Sequence, residues 1–307
     1  MEEALYSHLG FFNTDQVRSD KEGDFLTSPE VSKYFGKIIR NWIHSESNLK
    51  NIIEIGSGTG SLIEQIGIKE ITAVELSSTA REELIKKGID THTTIDELTT
   101  KTSDLIFGNE ILDNIPCSIG LYKDEGWYEK VVLLEENSLA YGLRPIRNEE
   151  LDWINKNNIV PNEDYEFEIQ VNIDKFLNSV IKKINPGKIL LFDYGYEQKN
   201  REKRMYSSLL RTYKNHHLSV DPIDDPGNID ITYDVNFSSI SSELKYLGYD
   251  VTLKLQRDFL LDNGFNIFFD ELQEKYIAAE GIEKLKINSE LNGMKAIVDS
   301  NGLGGFY

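Results

Sequence analysis

The chain has 307 residues, of which 39% are hydrophobic and 28% are charged, proportions typical of a globular protein with a full hydrophobic core. The formal net charge of −19 argues against nucleic acids and anionic membrane surfaces as partners, because clusters of Lys and Arg bind phosphate groups. The single cysteine, Cys117, excludes an internal disulfide and a cysteine metal cluster and indicates a reducing compartment.

Neither a secretory signal nor a membrane span is predicted. The first residues are acidic and lack the basic and then apolar layout of a signal peptide. No apolar run approaches the roughly 20 residues that a membrane helix needs. The sequence therefore predicts a soluble, cytoplasmic protein that is not inserted into a membrane.

Residues 1–48 are predicted to form an N-terminal helical flank or lid. Ser28 offers an N-cap, Pro29 a first-turn proline and Glu30 a first-turn acid. From Val31 to Trp42, apolar residues recur at steps of three and four, which indicates a helix with one buried face.

From about residue 49 the pattern changes to short strands that alternate with helices. The predicted strands share short apolar runs and lie at 51–55, 71–74, 104–107, 188–192 and 249–255. Helices are predicted at 62–66 and 237–247. This alternation favours an α/β fold with a mostly parallel sheet covered on both faces.

The region from 49 to 307 is predicted to be one core domain with an inserted subdomain at about 196–236. That insertion is polar, holds Pro222, Pro226 and Gly227, and shows no sustained hydrophobic period. We expect it to be ordered rather than a linker, because it retains several apolar and aromatic side chains.

The strongest local motif follows the first predicted strand. Glycines stand at positions 56, 58 and 60 and precede a helix, so the backbone can turn sharply and offer free N–H groups to a ligand. The spacing differs from the G-x-G-x-x-G of dinucleotide sites. Glu54 would sit badly beside pyrophosphate but well beside a cationic methionine group. A tight turn without a ligand remains the alternative.

A second acid, Glu75, ends the next predicted strand. In nucleotide-binding α/β folds an acid about 20 residues after the glycine turn binds the ribose hydroxyls, and Glu75 occupies that place. The alternative is a solvated loop residue. Together with Glu54 and the glycines, it predicts S-adenosylmethionine (SAM) as the cofactor.

The segment from Asn109 to Pro116 follows the third predicted strand. Its Asn109, Glu110 and Asp113 would lie at the carboxyl edge of the sheet, where open α/β folds bind ligands. Asp193 ends another strand at the same edge. A transferred methyl group needs an aligned nucleophile and a group that removes its proton, and these side chains are candidates for that role. A helix-capping turn is the alternative.

Several segments together resemble the MidA-like SAM-dependent methyltransferases, a family whose mitochondrial relatives are complex I assembly factors acting as arginine methyltransferases. The segments that carry the resemblance occur in family order, at residues 23–30, 35–36, 54–62, 109–116, 193–195, 210–216, 221–237 and 256–260. The T-S-P-E segment and the D-P-x-x-D-P-G to D-V-N-F segment are the specific ones.

The resemblance implies a Rossmann-like methyltransferase whose T-S-P-E segment helps to close the SAM pocket. The cofactor-binding residues it implies, with those found above, are Thr27, Ser28, Pro29, Glu30, Glu54, Gly56, Gly58, Gly60, Glu75 and Asn109. Candidates for the reacting side are Glu110, Asp113, Asp193 and His216, with Arg211 for the substrate. The implied acceptor is an arginine nitrogen in a basic segment of a partner protein.

Two other functions remain open, namely a methyltransferase acting on nitrogen or oxygen of a small molecule and a non-catalytic SAM-binding assembly factor. Arg211 has the alternative of a surface ion pair, and His216 that of a structural histidine. No metal site is predicted, because His216 and its neighbour His217 have no further ligands at workable spacing. The sequence does not specify an oligomeric state.

Overall fold

The computed structural model describes residues 1–13, 27–46, 49–136, 138–203, 209–214, 217–218 and 221–307. The helices of these residues are α1 Glu2–Tyr6, α2 Ser28–Val31, α3 Tyr34–Ser45, α4 Ser61–Ile66, α5 Ser78–Lys86, α6 Asn148–Lys156, α7 Val171–Ile181, α8 Phe237–Tyr246, α9 Gln256–Asp262, α10 Phe265–Ala278 and α11 Gly281–Ala296. Short 3-10 turns lie at Phe11–Asn13, Ile95–Glu97, Gln198–Lys203 and Leu303–Gly305.

The strands are β1 Ile52–Ile55, β2 Ile71–Val74, β3 Thr91–His92, β4 Ser103–Asn109, β5 Ser118–Lys123, β6 Gly126–Glu135, β7 Ser138–Pro145, β8 Tyr165–Ile169, β9 Ile184–Phe192, β10 Gly195–Tyr196, β11 Leu210–Lys214, β12 His217–Leu218, β13 Asp230–Tyr233 and β14 Val235–Asn236. The chain divides into two compact units. The parallel-sheet unit comprises 15–111, 180–194 and 252–307, and the hairpin unit comprises 1–14, 112–179 and 195–251.

The parallel-sheet unit contains a five-stranded sheet in the order β3-β2-β1-β4-β9, with every neighbouring pair parallel. All four residues of β1 are buried, as expected for a central strand covered on both faces. The strand order puts the ends of β1, β2, β4 and β9 at one edge. The predicted Rossmann-like α/β fold is confirmed.

The core of this unit joins segments that are far apart in sequence. Phe35 of α3 contacts Phe192 of β9, which in turn contacts Phe259 of α9, with 5.2 Å between ring centroids in each pair. Helices α10 and α11 add Leu272 and Met294 to the same buried cluster. The residues after 264, which lie beyond the segments that carry the family resemblance, therefore complete the hydrophobic core beside α3.

The hairpin unit is built on an antiparallel sheet in the order β7-β6-β5-β8. Its apolar cluster includes Trp153, Ile154 and Phe167, and the ring of Trp127 lies against Phe167 with 5.2 Å between centroids. Two smaller strand groups, β12-β11-β13 and β10-β14, belong to the same unit. The longest antiparallel pair is the β6–β7 hairpin.

Three features differ from the sequence-based expectations. Residues 112–179 group with 195–251 in the hairpin unit, so the region outside the parallel sheet is larger than the predicted insertion at 196–236. The predicted flank of residues 1–48 contributes to both units. The predicted strand at 249–255 is wrong, because this segment alternates in exposure but pairs with no strand of the described residues.

Candidate cofactor site

The glycine turn, Gly56 to Gly60, follows β1 and has a backbone that favours glycine. Gly56, Gly58 and Gly60 have φ values of +68°, +50° and +85°, in the left-handed region that side chains with a Cβ rarely adopt. A Cβ on Gly56 would lie 2.3 Å from Cγ2 of Ile111. The turn ends at Gly60, the N-cap of α4. Backbone conformation and close packing together explain the glycine spacing.

Glu54 brings a buried carboxyl group to this turn. Its side chain belongs to β1, and the residue is only 2% exposed. Burial raises its pKa well above the ordinary value, although a hydrogen bond from Ser57 opposes the shift. Among the described residues, Oε2 of Glu54 has no hydrogen-bond partner. A buried carboxylate oxygen without a partner is costly, and a cationic ligand would remove that cost.

Glu75, immediately after β2, faces the same turn. Its Oε2 accepts a hydrogen bond from the Gly58 N–H at 2.8 Å, and its Oε1 accepts one from the Ser77 N–H at 2.8 Å. Burial raises the pKa of Glu75, and these backbone hydrogen bonds lower it in part. Each carboxylate oxygen has two lone pairs, so both oxygens retain acceptor capacity for hydroxyl groups. The structure thus brings Glu54, Glu75 and the glycine turn together.

Asn109 and Glu110 lie at the end of β4. Oε1 of Glu110 accepts hydrogen bonds from Nδ2 of Asn109 at 3.0 Å and from the Ser28 N–H at 3.4 Å. Glu110 has a φ of +52°, an uncommon backbone conformation for a residue with a side chain. Oδ1 of Asn109 is buried without a hydrogen-bond partner among the described residues. The end of β4 therefore carries an amide oxygen that can accept a hydrogen bond and a carboxylate whose orientation is fixed by two hydrogen bonds.

The T-S-P-E segment is fixed by two glutamines. Thr27 is the N-cap of α2, whose first residues are the buried Ser28 and Pro29 and the partly buried Glu30. Oγ of Ser28 donates to Oε1 of Gln256 at 3.2 Å, and Nε2 of Gln65 donates to the Pro29 carbonyl at 2.7 Å.

Sequence reasoning did not assign Gln65 or Gln256 to the site. Gln256 is fully buried, and its Nε2 also donates to the Ile297 carbonyl at 2.9 Å. Gln256 begins the segment 256–260 that carries part of the family resemblance, and that is the sequence signal that could have identified it.

Asp193 follows β9 and is fully buried. Its N–H donates to the Tyr307 carbonyl at 2.9 Å, and the Tyr307 N–H donates back to the Asp193 carbonyl at 2.8 Å. Oδ1 of Asp193 accepts a hydrogen bond from the Tyr194 N–H at 2.9 Å. These contacts shape the end of β9, and a catalytic role for Asp193 stays a prediction.

The remaining candidates belong to the hairpin unit. Asp113 is buried, and its carbonyl accepts a hydrogen bond from the Tyr233 N–H at 3.3 Å. Arg211 is 2% exposed, and its Nη1 lies 2.7 Å from Oδ1 of Asp234. The burial argues against the surface ion pair considered from the sequence. His216 lies outside the described residues.

Two kinds of feature are absent from the described residues. These residues contain no group of three or more His, Cys, Asp or Glu side chains arranged to hold a metal ion. None of their helices combines the length and the apolar character that crossing a bilayer requires.

Comparison with protein families gives a match over most of the chain. The family described as "Putative S-adenosyl-L-methionine-dependent methyltransferase" matches residues 36–252. The matched residues include the glycine turn, both acids beside it and the ends of β4 and β9, so the predicted resemblance, cofactor and enzyme class are confirmed.

Relatives of this chain include proteins named protein arginine methyltransferase NDUFAF7, mitochondrial, and the Caenorhabditis elegans relative is named as a homolog of it. The Caenorhabditis elegans protein is 25% identical over 308 residues, covering 85% of this chain and 70% of its own. The Danio rerio protein is 24% identical over 322 residues, covering 87% of this chain and 72% of its own. The crystal structure of a Burkholderia thailandensis protein bound to S-adenosyl-homocysteine has a TM-score of 0.84, with 22% identity, and covers 99% of this chain and 83% of its own. That likeness supports the fold.

The relatives' names correct one expectation. A cytoplasmic location was predicted, but these relatives are named as mitochondrial proteins, which contradicts it. The prediction rested on the lone cysteine and on the missing patterns of a secretory signal and a membrane span, and none of these distinguishes one reducing compartment from another.

Proposed function

We propose that this chain, which belongs to the family of S-adenosyl-L-methionine-dependent methyltransferases, transfers the methyl group to an arginine nitrogen of a partner protein. The relatives named as protein arginine methyltransferases support this acceptor. The formal net charge of −19 supports a basic segment as the partner, because opposite charge speeds association.

The observation that carries the cofactor site is the partnerless buried oxygen of Glu54 beside the glycine turn. We assign to Glu54 the cationic methionine portion of SAM and to Glu75 the ribose hydroxyls. Gly56, Gly58 and Gly60 let the backbone approach the ligand closely. Bound SAM supplies an electrophilic methyl group.

We assign to Asn109 and the T-S-P-E segment, Thr27 to Glu30, the remaining wall of the cofactor pocket. The support is the hydrogen bond from the Ser28 N–H to Glu110, which holds this segment against the end of β4. Gln65 and Gln256 keep α2 in place. We propose that both glutamines position α2, because each forms a hydrogen bond to a residue of that helix.

On the acceptor side, we assign to Glu110 the orientation of the guanidinium group. A carboxylate can accept two parallel hydrogen bonds from a guanidinium, which fixes the direction of a nitrogen lone pair. Asp113 is a second candidate for this contact. The attacking nitrogen must lose a proton, and His216 is the proposed base.

Asp193 stays a proposed catalytic residue and Arg211 a proposed substrate-binding residue, and the contacts of both also support the site. The Asp193 carboxylate accepts the N–H of its own turn, and Arg211 is buried against Asp234.

Methyl transfer tests this function. The chain is incubated with SAM labelled on its methyl group and with an extract of its source cells, and labelled protein is hydrolysed to amino acids. Label in methylarginine is expected. Glu110→Gln should lower the rate at least about tenfold, because a neutral amide holds a guanidinium less well. The matched control is Glu64→Gln on α4, which removes a surface ion pair with Lys87. Label in another residue, in a small molecule only, or nowhere would contradict the proposal.

A further inference from the structure

The β6–β7 hairpin, called here the hairpin arm, exposes an unusual amount of apolar surface. Six large apolar side chains in this short segment are between 37% and 75% exposed, namely Val132, Leu133, Leu134, Leu139, Tyr141 and Leu143. Single exposed apolar residues are common on protein surfaces, but a contiguous patch indicates an interaction surface.

The strand register puts five of these side chains on one face of the arm. Val132 lies opposite Tyr141, Leu134 opposite Leu139, and Lys130 opposite Leu143. Residues directly opposite each other in an antiparallel pair share a face, and so do residues two apart along a strand. Of the six, only Leu133 lies on the other face.

The outer strand of the arm also has an unpaired edge. Within the described residues, β7 has β6 as its only neighbour. The last paired residues, Glu135 and Ser138, are separated by two residues, and such hairpin loops are closed by a hydrogen-bonded pair. Alternation along β7 then directs the backbone groups of Leu139, Tyr141 and Leu143 away from β6. An apolar edge of this kind readily pairs with another strand.

We propose that β7 pairs with β7 of a second copy of this chain, antiparallel and centred on Tyr141. Tyr141 then lies opposite Tyr141 of the second copy, and Leu139 opposite its Leu143. Two-fold symmetry requires a surface that complements itself, and two leucines at equal distances from the central tyrosine meet that requirement. The apolar faces of the two arms join into one surface.

Charge on the opposite face supports the same pairing. Nη2 of Arg144 lies 2.6 Å from Oε2 of Glu129 on β6. In the proposed register, Arg144 faces Ser138 of the second copy, whose neighbour on β6 is Glu135. Each arginine is therefore placed between carboxylates of both copies. Ala140 lies opposite Gly142, so small side chains meet where the backbones approach.

Analytical ultracentrifugation of the full chain tests this pairing. The expected species has twice the chain mass. Leu139→Arg and Leu143→Glu should each weaken association about tenfold, because each removes the apolar cross-strand contact between residues 139 and 143, which occurs twice in a two-fold dimer. Ile277→Arg, at an exposed apolar residue of the parallel-sheet unit, is the matched control and should leave association unchanged. Circular dichroism establishes that each variant is folded.

A mixture of Leu139→Arg and Leu143→Glu tests the register itself. In the proposed pairing the new arginine faces the new glutamate of the other variant, so the mixed dimer should recover. A chain that stays monomeric, or a dimer that Leu139→Arg does not weaken, would overturn the pairing. So would a mixture that does not recover. A monomer whose Leu139→Arg variant methylates protein more slowly would assign the arm to the substrate and reject the second copy.

Discussion

The glycine turn of the parallel-sheet unit and the Arg211–Asp234 pair of the hairpin unit both hold charged groups out of water, in different ways. Arg211 is paired with Asp234, and the Asp234 carbonyl is itself bonded to Gln170 at 3.0 Å. Glu54 has a buried carboxylate oxygen with no partner among the described residues. The charges of Arg211 and Asp234 are paired within the protein, whereas the oxygen of Glu54 beside the glycine turn leaves an acceptor for the proposed cofactor.

The largest effect is expected from breaking the buried pair of Arg211 and Asp234. Arg211→Met removes a buried cation that lies 2.7 Å from the Asp234 carboxylate, so we expect a loss of about 3–5 kcal/mol of unfolding free energy. Urea denaturation measures it. Lys254→Met, which breaks an exposed ion pair with Asp262, is the control and should cost at most about 1 kcal/mol. Equal losses in the two variants would show that burial does not distinguish these pairs.

The second prediction concerns SAM binding at the glycine turn. Gly58→Val puts a β-branched residue at a φ of +50° and should weaken SAM binding about a hundredfold or more, measured by isothermal titration calorimetry. Gly88→Val is the control, because Gly88 has a φ of +75° but a Cβ there would meet open space. The control should share the backbone strain and retain SAM affinity. Normal binding by Gly58→Val would contradict the assignment of the turn.

A smaller loss of affinity is expected for Glu75→Gln. An amide cannot accept on both sides as the carboxylate does, so one hydrogen bond from a hydroxyl group should be lost, at about 1.5–3 kcal/mol. The measurement is the affinity for S-adenosyl-homocysteine, which retains the ribose. Glu64→Gln is again the control. An unchanged affinity in Glu75→Gln would remove the ribose role.

The smallest expected effect is a dependence of folding stability on pH that comes from the buried carboxyl group of Glu54. Burial raises the folded-state pKa of Glu54 above its ordinary value of 4.5, so the folded state binds the proton more tightly than the unfolded state. The carboxyl group therefore costs stability as pH rises from 4.5 through the raised pKa.

Glu54→Gln should remove that cost. Without ligand, its melting temperature should match that of the unsubstituted chain near the ordinary pKa and exceed it at neutral pH, while its SAM affinity falls. Thermal unfolding across this pH range measures the difference. A variant less stable at neutral pH would indicate that Glu54 is paired within the protein.

Local sequence predicted the parts of the fold that depend on neighbouring residues. The observed β2 has the predicted bounds, and β1, β4 and β9 contain or nearly match the predicted runs. The glycine turn was predicted because three consecutive alternate glycines report a backbone conformation directly. The alternation at 249–255 predicted a strand that is not observed. A strand needs a neighbouring strand to pair with, and none of the described strands pairs with this segment.

What the sequence determined by itself is therefore the α/β class, the glycine turn and the acids that end β1 and β2. Only the tertiary structure decided that Ser28 meets Gln256, that Arg211 meets Asp234, and that the helices after residue 264 complete the core. The physical reason is that a buried polar group must find a partner in space. Which distant residue supplies that partner depends on the packing of the whole chain and not on local spacing.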